Sequence, residues 1–342
     1  MSNTALLGSY GAQDNSSLMF RNKVINGCMR IDQRNAGAAV TITNSAPYTV
    51  DRWLSYKTNA TVVATVQRST VAPSSFTNSA LITVTTGAAT GASDNGLFSQ
   101  YLEGFNVADL AWGTADAKPV TISFWVRSSS TGTFGLGFQN SAQTRNYMAS
   151  YTINSANTWE QKIVTIIGDT TGTWLTDNNV GLRMNFDLGA GSSASLSSGT
   201  WSTNTANNYG LTGGVKLFAN SGATLYITGV QLEAGPTATP FERRPIGVEL
   251  ALAQRYYITG SFSFSILTAV LSTAEGWSPF KVSMRATPAV SLASVSQSSI
   301  AAYAATASQI STEGFSRANN SSGNFANSIT PVSGTYTASA EL

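Results

Sequence analysis

Apolar and polar residues alternate with a period of two over much of this 342-residue chain. In residues 120–126, every second position is apolar, so these side chains share one face of a predicted strand and Trp125 lies on the other. In residues 182–188, Arg183 and Asn185 fall between apolar residues and form a predicted solvent face. The same alternation recurs at 134–138, 261–266, 280–284 and 290–292. We therefore predict an all-β fold.

Two further strand-like segments, 23–31 and 224–233, bracket these alternating strands. We expect them to pair as the first and last strands of a jelly-roll β-sandwich covering residues 23–243. The apolar residues of the second segment fall on one face of a strand only if one extra residue is inserted within it. Such an insertion is a β-bulge, and Gly229 is its expected site. Long loops lie between the strands, and loops of this length carry binding or pack against another subunit: 85–96, 169–179 and 189–214.

A helical period appears at 245–257, with Pro245 near the expected helix start. We predict a short connecting helix within residues 244–258, followed by a second, smaller β-sandwich module at 259–342. Large apolar residues are sparse after Ser296, so the core of this module should be thin. A thin core suggests that neighbouring copies supply the missing burial, and we expect this module to oligomerise.

Residues 1–22 are polar apart from a few leucine, methionine and phenylalanine side chains, and we interpret them as an arm that docks on another protein. They lack the basic start and long apolar core of a signal peptide, and no stretch of the chain is apolar enough to span a bilayer. We therefore expect synthesis in a cytoplasm without an export signal and no membrane insertion.

Charged residues make up only 11% of the chain, against about 25% in ordinary soluble domains. The surface must be covered largely by uncharged polar residues, as suits an extracellular or virion protein. The formal net charge is +2, and no run of lysine or arginine could follow a phosphate backbone, which argues against nucleic acid as a partner. The single cysteine, Cys28, cannot form an internal disulfide and is expected to be a small buried hydrophobe.

Histidine is absent, which excludes histidine-based triads and histidine general acid–base catalysis. Paired carboxylates could still hydrolyse a glycan, and a depolymerase is the enzyme hypothesis. The candidate carboxylates stand in no recognisable active-site phrase, and capping of their own turns is the favoured role: Asp94, Glu103, Asp109, Asp116, Asp169, Asp177 and Asp187. We therefore predict that the protein is not an enzyme.

Trp174, Trp201 and Tyr209 lie in otherwise polar loops, at 171–178 and 199–210. Sugar rings stack on aromatic faces, and their hydroxyl groups hydrogen-bond to amides. We predict a glycan site that combines these aromatic residues with nearby amides: Asn178, Asn207 and Asn208.

Trp125 is a further ligand candidate because its strand places it opposite the apolar face. It could equally lie beneath a loop or at a subunit contact. Trp201 and Tyr209 could instead attach their long loop to the sandwich. Trp53 and Trp159 are expected in the core.

Several phrases occur in a particular order: Asn26-Gly27, Asp51-Arg52-Trp53, 121–126, 157–160 and 227–232. This set resembles the carbohydrate-binding jelly rolls of the galactose-binding-like type. It resembles more closely the version in bacteriophage and cyanophage tail fibres and other virion-surface proteins, in which phrases such as these recur: Arg-Ile-Asp-Gln-Arg-Asn-Ala-Gly at 30–37, Asp-Arg-Trp and Gln-Arg-Tyr-Tyr at 254–257.

The resemblance implies a homotrimeric phage tail fibre that binds host-surface polysaccharide without catalysis and contacts other virion proteins through its N-terminal arm. The alternative is a structural virion component, such as a head decoration or baseplate protein, whose sandwich makes protein contacts. Related jelly rolls often hold a structural calcium near the first and last strands. Here Cys28 and Gly229 stand where acids are common, so we expect no metal, and we expect no cofactor.

Overall fold

A computed structural model describes residues 20–203, 209–267, 273–297, 306–320 and 329–342. Most of the predicted N-terminal arm lies outside these ranges. The first fourteen strands are, in chain order, β1 (Val40–Thr41), β2 (Leu54–Lys57), β3 (Val63–Ser69), β4 (Ser79–Thr86), β5 (Gly96–Glu103), β6 (Val120–Ser128), β7 (Gly132–Gln139), β8 (Asn146–Ile153), β9 (Glu160–Ile166), β10 (Val180–Asp187), β11 (Ser195–Leu196), β12 (Trp201–Ser202), β13 (Gly210–Leu211) and β14 (Thr224–Ala234).

Twelve of these strands form two six-stranded sheets that pack face to face. The first sheet has the order β1-β3-β4-β14-β6-β9 and the second has the order β12-β8-β7-β10-β5-β2. Strands β11 and β13 form a small parallel pair. The inward residues of both sheets build one large apolar core, to which Trp53, Phe98, Phe124 and Phe186 each contribute a buried ring. The predicted all-β sandwich is therefore confirmed.

The segment predicted as the first strand, 23–31, is not a strand. It lies beside β14 as expected, where the Lys23 amide donates to the Leu232 carbonyl at 2.9 Å and the Val230 amide donates to the Gly27 carbonyl at 2.9 Å. Asn26 and Met29, however, both have a φ of 57°, and such left-handed residues bend the chain out of a regular ladder. The prediction of pairing partners was right and the prediction of a strand was wrong.

The β-bulge predicted at Gly229 is present. The register of β14 against β6 shifts between Thr228 and Gln231, and Gly229 has a φ of 62°. A β-carbon at Gly229 would also lie only 2.6 Å from the ring of Phe76. Glycine is therefore required both by the backbone conformation and by the close packing.

Two short α-helices occur in the described ranges, α1 (Gly104–Val107) and α2 (Ile246–Gln254), and α2 is the predicted connecting helix. It leads into β15 (Tyr257–Leu267), β16 (Thr273–Pro279), β17 (Ala289–Gln297), β18 (Thr306–Ser308), β19 (Gly314–Asn320) and β20 (Ile329–Ser339). These strands form two three-stranded sheets, β15-β20-β17 and β16-β19-β18. In the ranges that the structure describes, neither α1 nor α2 is long enough to cross a bilayer.

The prediction of a strand at 280–284 is wrong, because β16 ends at Pro279 and the following residues are irregular. Phe280 and Met284 are nonetheless buried in the small core of the C-terminal sheets. Alternate side chains of a loop can be buried in the same way as those of a strand. Alternation in the sequence does not distinguish the two cases.

A buried ion pair joins the large sandwich to the end of the chain. Arg52 is almost fully buried, and its Nη1 donates to Glu341 Oε2 while its Nη2 donates to the Tyr101 carbonyl at 2.6 Å. The guanidinium of Arg52 also lies 3.5 Å from the ring centroid of Tyr256. The other oxygen of Glu341 accepts from Arg34 Nη2 at 2.6 Å. We call these five residues the joint.

Glu341→Gln removes the only carboxylate that pairs with both Arg34 and Arg52 among the described contacts. Removing one partner of a buried ion pair leaves an uncompensated charge, so the free energy of unfolding should fall by about 3–5 kcal/mol. Chemical denaturation measures this loss.

The matched control is Asp109→Asn, which breaks the pair with Lys23, where the Asp109 side chain is 56% exposed. An exposed pair contributes less than about 1 kcal/mol. Equal losses in the two variants would contradict the importance of the joint.

Candidate functional site

The outer face of the second sheet carries a row of polar side chains. In β10 the core residues alternate with Arg183 and Asn185, which lie on the outer face. The strand register aligns Arg183 with Tyr101 of β5 and with Gln139 of β7, and it aligns Gln139 with Asn146 of β8. We call Tyr101, Arg183, Gln139 and Asn146 the polar row.

A chain of hydrogen bonds runs across four strands at this face. Ser99 Oγ donates to Asn185 Oδ1 at 2.8 Å, and Asn185 Nδ2 donates to Gln139 Oε1 at 3.2 Å. Gln139 Nε2 donates to Asn146 Oδ1 at 2.7 Å, and Asn146 Nδ2 donates to the Gln143 carbonyl at 3.0 Å. Ser99, Asn185, Gln139 and Asn146 are all buried, so the bonds offset their desolvation and fix the orientation of each amide.

Half-buried aromatic rings lie near this buried chain. Tyr56, Tyr101 and Tyr209 are half-buried, and the guanidinium of Arg183 lies 4.5 Å from the ring centroid of Tyr101. Tyr209 Oη donates to Gln143 Oε1 at 3.1 Å. Burial raises the pKa of Tyr209, and Tyr101, Arg183 and Tyr56 all lie close enough to influence it. Three phenol rings and one cation therefore share this part of the face.

The two ends of the face are covered by different parts of the chain. At one end, Leu211 of β13 packs against β7 so closely that a β-carbon on Gly135 would lie 2.8 Å from the Leu211 side chain. Asp187 holds this cover in place by accepting the Leu211 amide at 2.9 Å. At the other end, Glu103 Oε2 accepts from Tyr256 Oη at 2.6 Å. The polar row lies between these two covers.

The structure brings two of the predicted site residues, Trp174 and Trp201, into one aromatic cluster at the edge of the sandwich. Their ring centroids are 5.5 Å apart, and Trp112 packs edge-to-face against both at 4.7 and 5.2 Å. Trp174 Nε1 donates to the Thr171 carbonyl at 3.2 Å, and Trp201 Nε1 donates to the Ile167 carbonyl at 2.9 Å. Their ring edges and polar atoms therefore contact protein, which is the geometry of a loop attachment.

The other predicted residues are dispersed. Asn178 Nδ2 donates to the Arg285 carbonyl at 3.2 Å, and its own carbonyl accepts from Arg285 Nη1 at 2.5 Å, so it joins the sandwich to the C-terminal sheets. Trp125 is half-buried on the outer face of the first sheet, opposite Gln161 of β9. Only Tyr209 lies beside the polar row. Two of the predicted residues fall outside the described residues: Asn207 and Asn208.

Six of the seven candidate carboxylates accept hydrogen bonds from other groups in the protein, Asp116 being the exception among the described contacts. Asp169 forms a bidentate pair with Arg145 at 2.6 and 2.8 Å, and Asp187 accepts backbone amides of Gly189, Ala190 and Leu211. Burial raises the pKa of Asp187, and these hydrogen bonds oppose that shift. Across the described part of the chain, no group of three or more cysteine and acidic residues could hold a metal ion. Cys28 is half-buried, and burial raises the pKa of its thiol.

No protein-family model matches the chain, and no curated protein sequence matches it. Among solved structures, it is similar to the enzymatically active domain of tailspike protein 4 from bacteriophage CBA120, with 12% identity, 63% of this chain and 21% of that chain covered, and a TM-score of 0.32. It is also similar to a candidate sugar-binding protein from Bacteroides thetaiotaomicron, with 12% identity, coverage of 62% and 99%, and a TM-score of 0.36.

A family 11 carbohydrate-binding module from Clostridium thermocellum is similar at 14% identity, with coverage of 60% of this chain and 100% of that chain and a TM-score of 0.29. Of the tailspike chain, this chain spans only about a fifth. Likeness at this level carries no argument about what this chain binds.

Trp201→Ala should destabilise the protein, because the indole packs against Trp112, Trp174 and Tyr147 and donates one hydrogen bond. We expect the free energy of unfolding to fall by about 2–4 kcal/mol, measured by chemical denaturation.

Trp277→Ala is the control, since Trp277 is 51% exposed and its removal should change stability by about 0.5 kcal/mol or less. If Trp201→Ala keeps full stability but abolishes attachment to polysaccharide, the cluster is a ligand platform and not a loop attachment.

Proposed function

We propose that this chain is a non-catalytic glycan-binding protein and that its site is the polar row with Tyr56 and Tyr209. The observation that carries the proposal is the hydrogen-bonded amide chain on the outer face of the second sheet. These hydrogen bonds offset the cost of burying the amides and hold them in fixed orientations beside the half-buried tyrosines.

The chemistry of this face suits a saccharide. The phenol groups of Tyr56, Tyr101 and Tyr209 offer donors and acceptors to sugar hydroxyl groups, and their rings offer surfaces for the apolar faces of sugar rings. The buried amide chain beside them bonds within the protein and fixes the face in place. The covers formed by Leu211 and Glu103 bound the row at both ends. A site with fixed polar groups loses little conformational entropy on binding, which favours recognition of a flexible, hydrated ligand.

Binding without hydrolysis fits the roles of the carboxylates. Asp169, Asp187 and Glu103 each hold a cation, backbone amides or a tyrosine, and these contacts tie them to the fold. Glycoside hydrolysis needs one carboxylic acid and one carboxylate that both reach the scissile bond. We assign neither role to this chain.

The biological setting that we propose is the surface of a virion, where the protein would act as a tail fibre that contacts host-surface polysaccharide. The support for this setting is the ordered resemblance of the sequence phrases and the low charge content of 11%. Copies of the chain would associate as a homotrimer, with the N-terminal arm contacting other virion proteins.

Tyr209→Ala should weaken binding to isolated host-envelope polysaccharide about tenfold, because it removes one ring and the hydrogen bond to Gln143. Affinity electrophoresis measures the change, and circular dichroism checks that the fold is retained.

Tyr226→Ala is the matched control, since Tyr226 lies on the outer face of the first sheet, where Trp159 packs against it at 6.0 Å. Loss of binding in Tyr226→Ala with retention in Tyr209→Ala would assign the site to the opposite face and refute the proposal.

A second candidate function is protein contact, and an apolar groove favours it. Phe20, Val248, Leu252 and Met284 line an open groove of about 630 Å³ between α2 and the loop after β16. Ile246, on the same helix, is also exposed. An open apolar groove could be covered by a neighbouring protein surface. We propose a second copy of the chain as its occupant, because the groove adjoins the C-terminal sheets, whose own core is small.

Light scattering should give a mass of about three chains for the protein at micromolar concentration. Val248→Glu should lower that mass, because it places a charge in the groove, where Val248 is 37% exposed. Val71→Glu, at an exposed position that does not line the groove, should leave the mass unchanged. A stable monomer before any substitution would contradict association through this groove.

A further inference from the structure

We propose that the polar row selects acidic saccharides and that Arg183 is the residue that recognises their anionic group. This inference rests on the proposed glycan-binding function and specifies the class of glycan. Arg183 is a half-buried cation at the proposed site that has no carboxylate partner among the described residues.

Six other arginines have a carboxylate partner among the described residues: Arg21, Arg34, Arg52, Arg145, Arg244 and Arg255. The half-buried Arg68, Arg127 and Arg285 donate to backbone carbonyls instead. Arg145 pairs with Asp169 at 2.6 Å, and Arg52 pairs with Glu341. Arg183 forms no ion pair with any residue in the described ranges. Its Nη2 donates to the Ser141 carbonyl at 3.2 Å, and its Nε has no acceptor among the described residues. A half-buried guanidinium therefore lies on this face with no carboxylate partner among the described residues.

The position of Arg183 is fixed by its surroundings. The ring of Tyr101 lies 4.5 Å from the guanidinium carbon and holds the cation against the sheet. Gln139 and Tyr101 flank Arg183 on the neighbouring strands, and neither side chain is a carboxylate. The charged group nearest to the row along β10, Asp187, is buried and bound to backbone amides at the covered end.

A guanidinium presents a planar set of N–H donors that matches a carboxylate or a sulfate ester, and charge-assisted hydrogen bonds are stronger than neutral ones. The half-buried phenol groups of Tyr101 and Tyr209 near Arg183 would bind the hydroxyl groups of the same sugar. A uronate or a sulfated sugar combines both kinds of group in one ring. The shared chemistry is an anionic group on a saccharide, and carboxylate and sulfate are separated by experiment.

The test uses the full-length protein and three saccharide probes in isothermal titration calorimetry: an oligogalacturonate, its fully methyl-esterified form and a sulfated galactan oligomer. The first two share ring geometry and differ in charge. We expect at least one anionic probe to bind roughly ten to a hundred times more tightly than the ester, because a hydrogen bond to a charged group outweighs a neutral one. Raising the salt concentration should weaken this binding and leave binding of the ester unchanged.

Arg183→Gln should abolish the preference, so that the anionic probe binds no more tightly than the ester, and Arg183→Lys should keep part of the preference. Arg127→Gln is the matched control, because Arg127 lies 5.1 Å from the Tyr226 ring centroid on the outer face of the first sheet. It should leave the preference intact.

Equal affinity of the unsubstituted protein for the oligogalacturonate, the sulfated probe and the ester would overturn this inference and leave the proposed function standing. If none of these probes binds and a broad glycan array is also negative, the proposed function itself fails. Should Arg183→Gln not fold, the salt dependence of the unsubstituted protein and the Arg183→Lys variant still decide the matter.

Discussion

The ion pair between Arg52 and Glu341 is the constraint on which the arrangement of this protein depends. A guanidinium that is almost fully buried requires a carboxylate and further acceptors, and Glu341, the Tyr101 carbonyl and the Tyr256 ring supply them. Because Glu341 lies two positions from Ser339, where β20 ends, the pair fixes the C-terminal sheets against the sandwich. The loop residue Arg52 has a φ of 73°, a strained conformation that this set of contacts maintains.

The joint also determines one boundary of the proposed site. Arg52 bonds the carbonyl of Tyr101, the first member of the polar row. Burial raises the pKa of Tyr256 to about 12, so its hydroxyl stays protonated and donates to Glu103 at the end of the same strand. The contacts that hold the two parts of the chain together therefore also hold β5 at the edge of the polar row. A substitution in the joint should therefore disturb both the attachment of the C-terminal sheets and the position of β5 beside the polar row.

The two faces of the second sheet have different roles, since the inner face forms the core and the outer face carries the proposed binding site. The inner face supplies rings such as Phe98, Phe138 and Phe186 to the core. The outer face replaces apolar contact with a hydrogen-bonded amide chain, which gives rigidity without a second apolar layer. This division explains how a chain with 11% charged residues can still present a directed polar surface.

Local patterns in the sequence predicted much of this fold. Alternation identified β6, β7, β10 and β14, the phase change identified the bulge at Gly229, and Pro245 marked the start of α2. The alternation failed at 280–284, because a buried loop can show the same spacing. It also failed at 23–31, because left-handed residues interrupt pairing without changing the apolar pattern.

The candidate site was harder to predict because it depends on strand order. The sequence indicated that Arg183 and Asn185 lie on a polar face, but not that Gln139, Asn146 and Tyr101 are their neighbours across the sheet. The aromatic loop residues Trp174 and Trp201 were chosen for composition, and they pack on each other and on Trp112, a contact that no local pattern encodes.

The recurring phrases have a structural meaning that their resemblance did not reveal. Arg34 from the phrase at 30–37, Arg52 from Asp-Arg-Trp, and Tyr256 from Gln-Arg-Tyr-Tyr all meet at the joint. Gln33 strengthens this contact by donating to Asp51 at 2.7 Å and to the Tyr257 carbonyl at 3.0 Å. These phrases therefore encode the contacts that join two parts of the chain. None of the three residues Arg34, Arg52 and Tyr256 belongs to the proposed ligand site.

The most direct test of the account is nuclear magnetic resonance of the protein with its twelve tyrosine rings isotopically labelled, titrated with host-envelope oligosaccharide. Tyrosine-to-phenylalanine variants assign the signals. The account predicts saturable shifts at Tyr56, Tyr101 and Tyr209 and none at Tyr226 on the opposite sheet. Shifts confined to Tyr226, or to Tyr147 beside the tryptophan cluster, would contradict it.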